Sequence, residues 1–259
     1  MGSTNLKTSL DPKTSKRPKE QKTQTMPAAS AAPIKKLATG GVIIGNVPAN
    51  EPPKLDAADI ASCQVVQEMS DVQAQVQKAC DRIGLTSAHF WRVRGDYYEQ
   101  DLAWRRDILG AASVQQLCKS MIMENTKLTE EEAKASGRIK YVMFVLQYAN
   151  GKLNKEKMHD VIRSMEGSKA AAKKQYSIRM VSQEVSNKLS GFPHNAVTPF
   201  GMATPIPVLL SERIRALPEG RVWLGGGEVD LKLRLDVAEL VAKFESPAGV
   251  APIFADVTE

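Results

Sequence analysis

The sequence predicts an α+β protein, a mixed and curved β-sheet with surrounding helices, preceded by a disordered basic tail and an N-terminal helix. Three observations lead there. Apolar residues recur at both strand and helix periods, but the two kinds of segment do not alternate strictly, which disfavours a doubly wound parallel sheet. No GxGxxG or GxxxxGK[ST] follows a strand pattern, so the usual nucleotide-binding signatures are missing. The excess charge is segregated: residues 1–54 hold nine basic and three acidic side chains, and the rest of the chain holds 26 of each. With 259 residues and 42% hydrophobic content, the chain can bury one substantial core.

Residues 1–54 contain few large apolar side chains and cannot offset the entropy of ordering, so a disordered basic tail is expected there. From Leu55, apolar side chains at Ile60, Val65, Val66, Met69, Val72, Val76 and Ala79 follow helical spacing, predicting one amphipathic helix over 55–84 that stops at Gly84. The domain proper is expected over 85–245. "SAHFWRVR" reads as a strand, "YYEQDLAWRRDILG" as a helix ending at Gly110, and Ser113 as the cap of a short turn. "LCKSMIMEN" and "RIKYVMFVLQY" read as strands. Asn154 and Ser177 each start a helix, the second stopping at a glycine. "PVLLS", "GRVWLGGG" and "DLKLRLDV" complete the strands, and 246–259 is expected as a C-terminal tail.

Several function classes are disfavoured. Cys63, Cys80 and Cys118 are odd in number and lack CxxC spacing, so neither a disulfide framework nor a zinc site is expected. His89, His159 and His194 show no HxxxH or HExxH pattern, and no metal or other cofactor is expected. No run of about 18 apolar residues is present, so no membrane partner is expected. Leu6 stands where a myristoylation signal has Ser or Thr. Cytoplasm is the expected location; the basic, Ser/Thr-containing start leaves a mitochondrial alternative, which its acidic residues and prolines weaken.

Between two glycines, "GFPHNAVTPFG" (Gly191–Gly201) is too irregular for a helix or a strand. Its neighbours give it meaning. A strand with "CKS", a strand, two helices of which the second ends "LSG", this loop, "IPVLLS" and then "VWLGGGEVDLKLRLDVAELVAKF" together resemble a YbaK-type aminoacyl-tRNA editing domain, a family related to the editing insertion of prolyl-tRNA synthetase. The resemblance runs over about 85–244. Lys119 matches the family's strand lysine, "TPFG" the end of its glycine-rich loop, and "GGGEVDLKL" its glycine turn and following strand. Where the family has glycine four residues before the loop proline, this chain has Asn195.

That resemblance implies hydrolysis of the ester of a mischarged tRNA. An aminoacyl ester is already activated, so catalysis needs a held carbonyl, donors aimed at the oxyanion, and an oriented water or ribose hydroxyl. By the match, backbone amides of Ala196, Val197 and Thr198 hold the carbonyl, and Lys119 holds the terminal adenosine or its phosphate. Pro199 fixes the loop by locking its own φ and biasing Thr198 toward extended angles. His194 is either a base or an exposed loop side chain. Gly225 and Gly226 either admit the substrate or simply form a turn with Gly227. Asp230 is expected to be solvated, and Trp91, Trp104 and Trp223 to be core residues. The expected partners are the aminoacylated 3′ end of tRNA and an aminoacyl-tRNA synthetase or its assembly. The alternative function is an inactive editing-like module that binds tRNA or acts as a scaffold, and Asn195 is the departure that favours it.

Overall fold

The computed structural model describes residues 69–217, 220–244, 248 and 252–259, all within one compact unit, Pro48–Glu259. The tail at 1–54 and the first part of the expected N-terminal helix lie outside the described residues. In chain order the elements are α1 (Asp71–Arg82), β1 (His89–Arg92), α2 (Leu102–Ile108), β2 (Cys118–Asn125), α3 (Glu130–Ser136), β3 (Tyr141–Gln147) and α4 (Lys155–Glu166). There follow β4 (Ile178–Met180), α5 (Gln183–Ser190), β5 (Val208–Ser211), β6 (Arg221–Gly225), β7 (Leu231–Asp236), α6 (Val237–Lys243) and β8 (Ile253–Ala255). The class is α+β with mixed strand pairing, but the strands divide into two sheets. One is antiparallel, in the order β1-β7-β6; the other has the order β4-β2-β3-β5-β8, antiparallel from β4 to β3 and parallel from β3 to β8. A single bridge between Leu117 and Trp223 links them.

The arrangement follows from which side chains are apolar on both faces. β3 is buried along nearly its whole length: Met143 and Val145 enter the core cluster that also contains Val222, Leu224, Leu233 and Leu235 of the smaller sheet. Val142, Phe144 and Leu146 face the other way, onto Met158 and Ile162 of α4. Such a strand needs cover on both sides, and the central place in the larger sheet supplies it. Trp223 is buried and Trp91 and Trp104 pack against the same third cluster, as their apolar settings predicted.

Four boundaries differ from expectation, and local hydrogen bonds explain most of them. Ser70 is extended (φ −75°, ψ 161°) and its hydroxyl accepts from the Gln73 amide, so the helix begins at Asp71 instead of running through from residue 55. The segment starting at Tyr97 makes a 3₁₀ turn before Asp101 caps α2. The segment from Ser177 is not one helix: Ile178–Met180 pairs with β2, and Ser182 provides the cap of α5. Residues 253–255 join β5 as a parallel strand, with Val257 fully buried, so the C-terminal segment is part of the domain. One further element, α3, has the Thr129/Glu132 capping box in plain view and was not anticipated.

Candidate active site

The loop leaves α5 through Gly191, whose φ of +81° ends the helix. Ser190 ties the first step, donating to the Ser186 carbonyl and accepting from the Phe192 amide, while the Phe192 ring is buried. Asn195 then takes φ +66°, the one non-glycine residue with positive φ among the described residues. Asn enters this region more readily than most residues, so the loop keeps a turn that glycine would make freely. The Ala196 amide closes that turn onto the Pro193 carbonyl at 3.1 Å, and the Ala196 carbonyl accepts from Gly227 at 3.0 Å.

These bonds revise the expected set of donors. Ala196 is fully buried and its N–H is already used, so it is not free to hold a substrate carbonyl. The amides of Val197 and Thr198 carry no hydrogen bond among the described residues. Thr198 is wholly buried, and its Oγ1 also lacks a partner. Buried donors are rarely left unpaired, so the Thr198 amide is unspent hydrogen-bonding capacity, and the half-buried Val197 amide faces the cavity side of the loop. Pro199 is buried beside them, and Phe200 packs edge-on against Phe244 at 5.1 Å.

Gly225, Gly226 and Gly227 turn out to be packing residues as well as a turn. A Cβ on Gly225 would lie 2.7 Å from the Val197 carbonyl oxygen and 2.8 Å from that of Ala196. One on Gly226 would meet Leu231 at 2.8 Å, and one on Gly227 would meet Val72 at 2.8 Å. Only glycine lets the end of β6 run this close beneath the loop.

A cavity of about 360 Å³ opens above this contact. β2 contributes Lys119 and Ser120, α5 contributes Ser186 and Asn187, the loop contributes His194, Asn195 and Val197, and Gly225, Tyr98 and Tyr148 complete the wall. Of the residues singled out in the sequence, Lys119, His194, Asn195, Val197 and Gly225 line this cavity, while Ala196, Thr198, Pro199 and Gly226 lie outside its lining. Lys119 is half-buried, has no carboxylate partner among the described residues, and lies 5.7 Å from the centre of the Tyr148 ring. Burial holds its ammonium below the usual lysine range. His194 is exposed at the rim. Asp230 pairs with Arg92 at 3.1 Å.

Sequence reasoning missed Ser120, whose buried hydroxyl is unpartnered, and both tyrosines. Tyr98 donates its hydroxyl proton to the Asn195 carbonyl at 2.5 Å across 97 positions of chain, a contact no local spacing announces.

Residues 110–243 match the family model for the aminoacyl-tRNA editing domain. The chain belongs to that family. The match takes in Lys119, the whole loop and the glycine turn, but Tyr98 precedes it. A solved structure described as a candidate trans-editing enzyme for prolyl tRNA synthetase has the same fold at TM-score 0.54 and 22% identity, covering 73% of this chain and 98% of that one. A second, a hypothetical protein, aligns at TM-score 0.51 and 18% identity, over 71% and 99% of the two chains. No curated protein matches the sequence. Within this editing domain, no helix among the described residues is long and apolar enough to cross a membrane.

A second cavity, about 610 Å³, lies on the other side of α5. Lys134, Lys169 and Lys188 line it and have no carboxylate partner among the described residues. Arg138 and Lys140, which also line it, are paired with Glu166 and Glu124.

Proposed function

We propose that this editing domain is a trans-acting deacylase that hydrolyses the ester of a mischarged tRNA. The observation that carries the reading is the convergence, in one cavity, of an unpaired lysine with a loop whose Val197 amide is unspent, the Thr198 amide lying directly behind it. In this mechanism Lys119 takes the terminal adenosine or its phosphate by charge, and the Val197 amide donates to the carbonyl oxygen as negative charge grows on it. A water oriented by the neighbouring ribose hydroxyl attacks the carbonyl carbon, and the ester oxygen leaves as a ribose hydroxyl, taking up the proton that the water gives up. No protein nucleophile is needed, because aligned donors in a partly dry site act where charge develops. The cavity is at the small end of ligand sites, in keeping with a small aminoacyl group.

The tRNA body gives a second requirement, positive charge for its phosphates. Lys134, Lys169 and Lys188 supply it one helix away, since α5 lines both cavities. The Asn195 side chain, which lines the cavity where a glycine would leave space, favours a second reading: a tRNA-binding or scaffold module in a synthetase assembly.

Release of amino acid from a panel of mischarged tRNAs, under single-turnover conditions, separates the two. The deacylase reading expects release of one small amino acid by the wild type and a fall of about 100-fold in Lys119→Ala. No release from any member, with tRNA binding intact, would leave the binding module.

A further inference from the structure

Lys232 is the least expected side chain in the domain: an amine on β7 that is 3% exposed and pairs with no carboxylate among the described residues. It lies over the rings of Tyr98 (4.4 Å) and Tyr97 (4.7 Å), and donates to the Val229 carbonyl at 2.6 Å and to Tyr98 Oη at 3.1 Å. We propose that Lys232 is a positioning residue for the editing loop: as an ammonium it forces the single hydroxyl proton of Tyr98 onto the Asn195 carbonyl, and so holds the left-handed turn that presents the Val197 amide. The role of that amide rests on the deacylase reading above; the anchoring of the turn does not.

An ammonium has three protons and no lone pair, so between Lys232 and Tyr98 the phenol oxygen must accept. Its one proton goes to the Asn195 carbonyl, 2.5 Å away, while the Tyr148 hydroxyl, also hydrogen-bonded to Tyr98, donates to the second lone pair of the phenol oxygen. A neutral amine has a lone pair, can take that proton, and leaves the Asn195 carbonyl without its donor. The phenol itself stays protonated, because burial and the neighbouring Tyr148 push it well above its usual range.

The lysine is the group that changes. Burial brings it down to about 7, opposed by Asp230 and reinforced by Arg105. The charged groups around it are few. Asp230 is already held by Arg92, which also binds Glu228, and Arg105 of α2 lies over Tyr97 and Tyr98 at 5.4 and 5.2 Å. Arg234 follows on the same strand, over Trp223, and Lys119 stands against Tyr148. Among the described residues, Asp230 is the carboxylate that opposes the burial of the Lys232 charge, and it is already shared with Arg92.

Hydrogen exchange, followed at the Ala196 and Gly227 amides, tests the anchor without relying on catalysis, since both amides are bonded within the turn. At pH 6, Tyr98→Phe and Lys232→Met should each lower their protection by about tenfold, while cooperative melting shows each variant folded. Wild-type protection, corrected for intrinsic exchange, should fall as pH rises through 7 and stay flat in Tyr98→Phe. In single-turnover deacylation the rate constant should fall with half-saturation unchanged. Unchanged protection in both variants, or a loss in Lys232→Met alone, would overturn the proposal, the second by showing that the lysine acts through packing. Altered protection in a wild-type protein that releases no amino acid would uphold the anchor and remove the deacylase reading.

Discussion

At the scale of single residues, the burial of Lys232 opposes folding. Its ammonium loses a proton near pH 7 in the native state and near 10.5 when unfolded. At about 1.36 kcal/mol per pKa unit, that opposes folding by on the order of 5 kcal/mol below pH 7. Between those two values the unfolded chain binds more protons, so stability rises with pH across that window. Lys232→Met should therefore melt higher than wild type at pH 6, with the gap narrowing by pH 9.5; an equal gap at both would mean the lysine carries no desolvated charge. Gly225→Ala makes the opposite case. Its methyl group must displace loop carbonyls 2.7 and 2.8 Å away, so the melting temperature should drop by an amount corresponding to about 1–3 kcal/mol, and deacylation should fall further than unfolding explains. A melting temperature equal to wild type would mean the loop yields at no cost. Lys119 and the loop could be read in the sequence because the family writes them as compact local motifs. Tyr98, Ser120 and Lys232 could not, since their meaning lies in partners far along the chain.

At the scale of elements, strong local signals predicted well and competing caps did not. β3 was evident because an unbroken apolar run has few other homes. The helix expected from residue 55 has its cap at Ser70 instead, and the one expected from Ser177 gives three residues to a sheet edge that only the fold provides. β8 is the clearest case: nothing in "PIFADVTE" announces a strand until β5 offers a free edge beside it. Its contribution can be measured. Deleting residues 252–259 removes the buried Val257 and bares β5, so the urea midpoint should fall and concentration-dependent association should appear. A midpoint equal to that of the full chain would make β8 an ornament on the sheet.

At the scale of the whole molecule, the net charge of +6 conceals a balanced domain, and what counts is where unpaired cations collect. If Lys134, Lys169 and Lys188 meet tRNA phosphates, changing all three to Gln should reduce the slope of log affinity against log salt by about 2 to 3, with hydrolysis of a short aminoacylated 3′ fragment unaltered. An unchanged slope would place the tRNA elsewhere. The position of α1 has a consequence of another kind. Gln75 grips the Gly201 carbonyl, and Val72 and Val76 press on Gly227, so one helix braces both the end of the loop and the glycine turn beneath it. Twelve residues make a rod about 18 Å long. The loop and the glycine turn thus share one rigid support, so a substitution on this helix is felt at both at once.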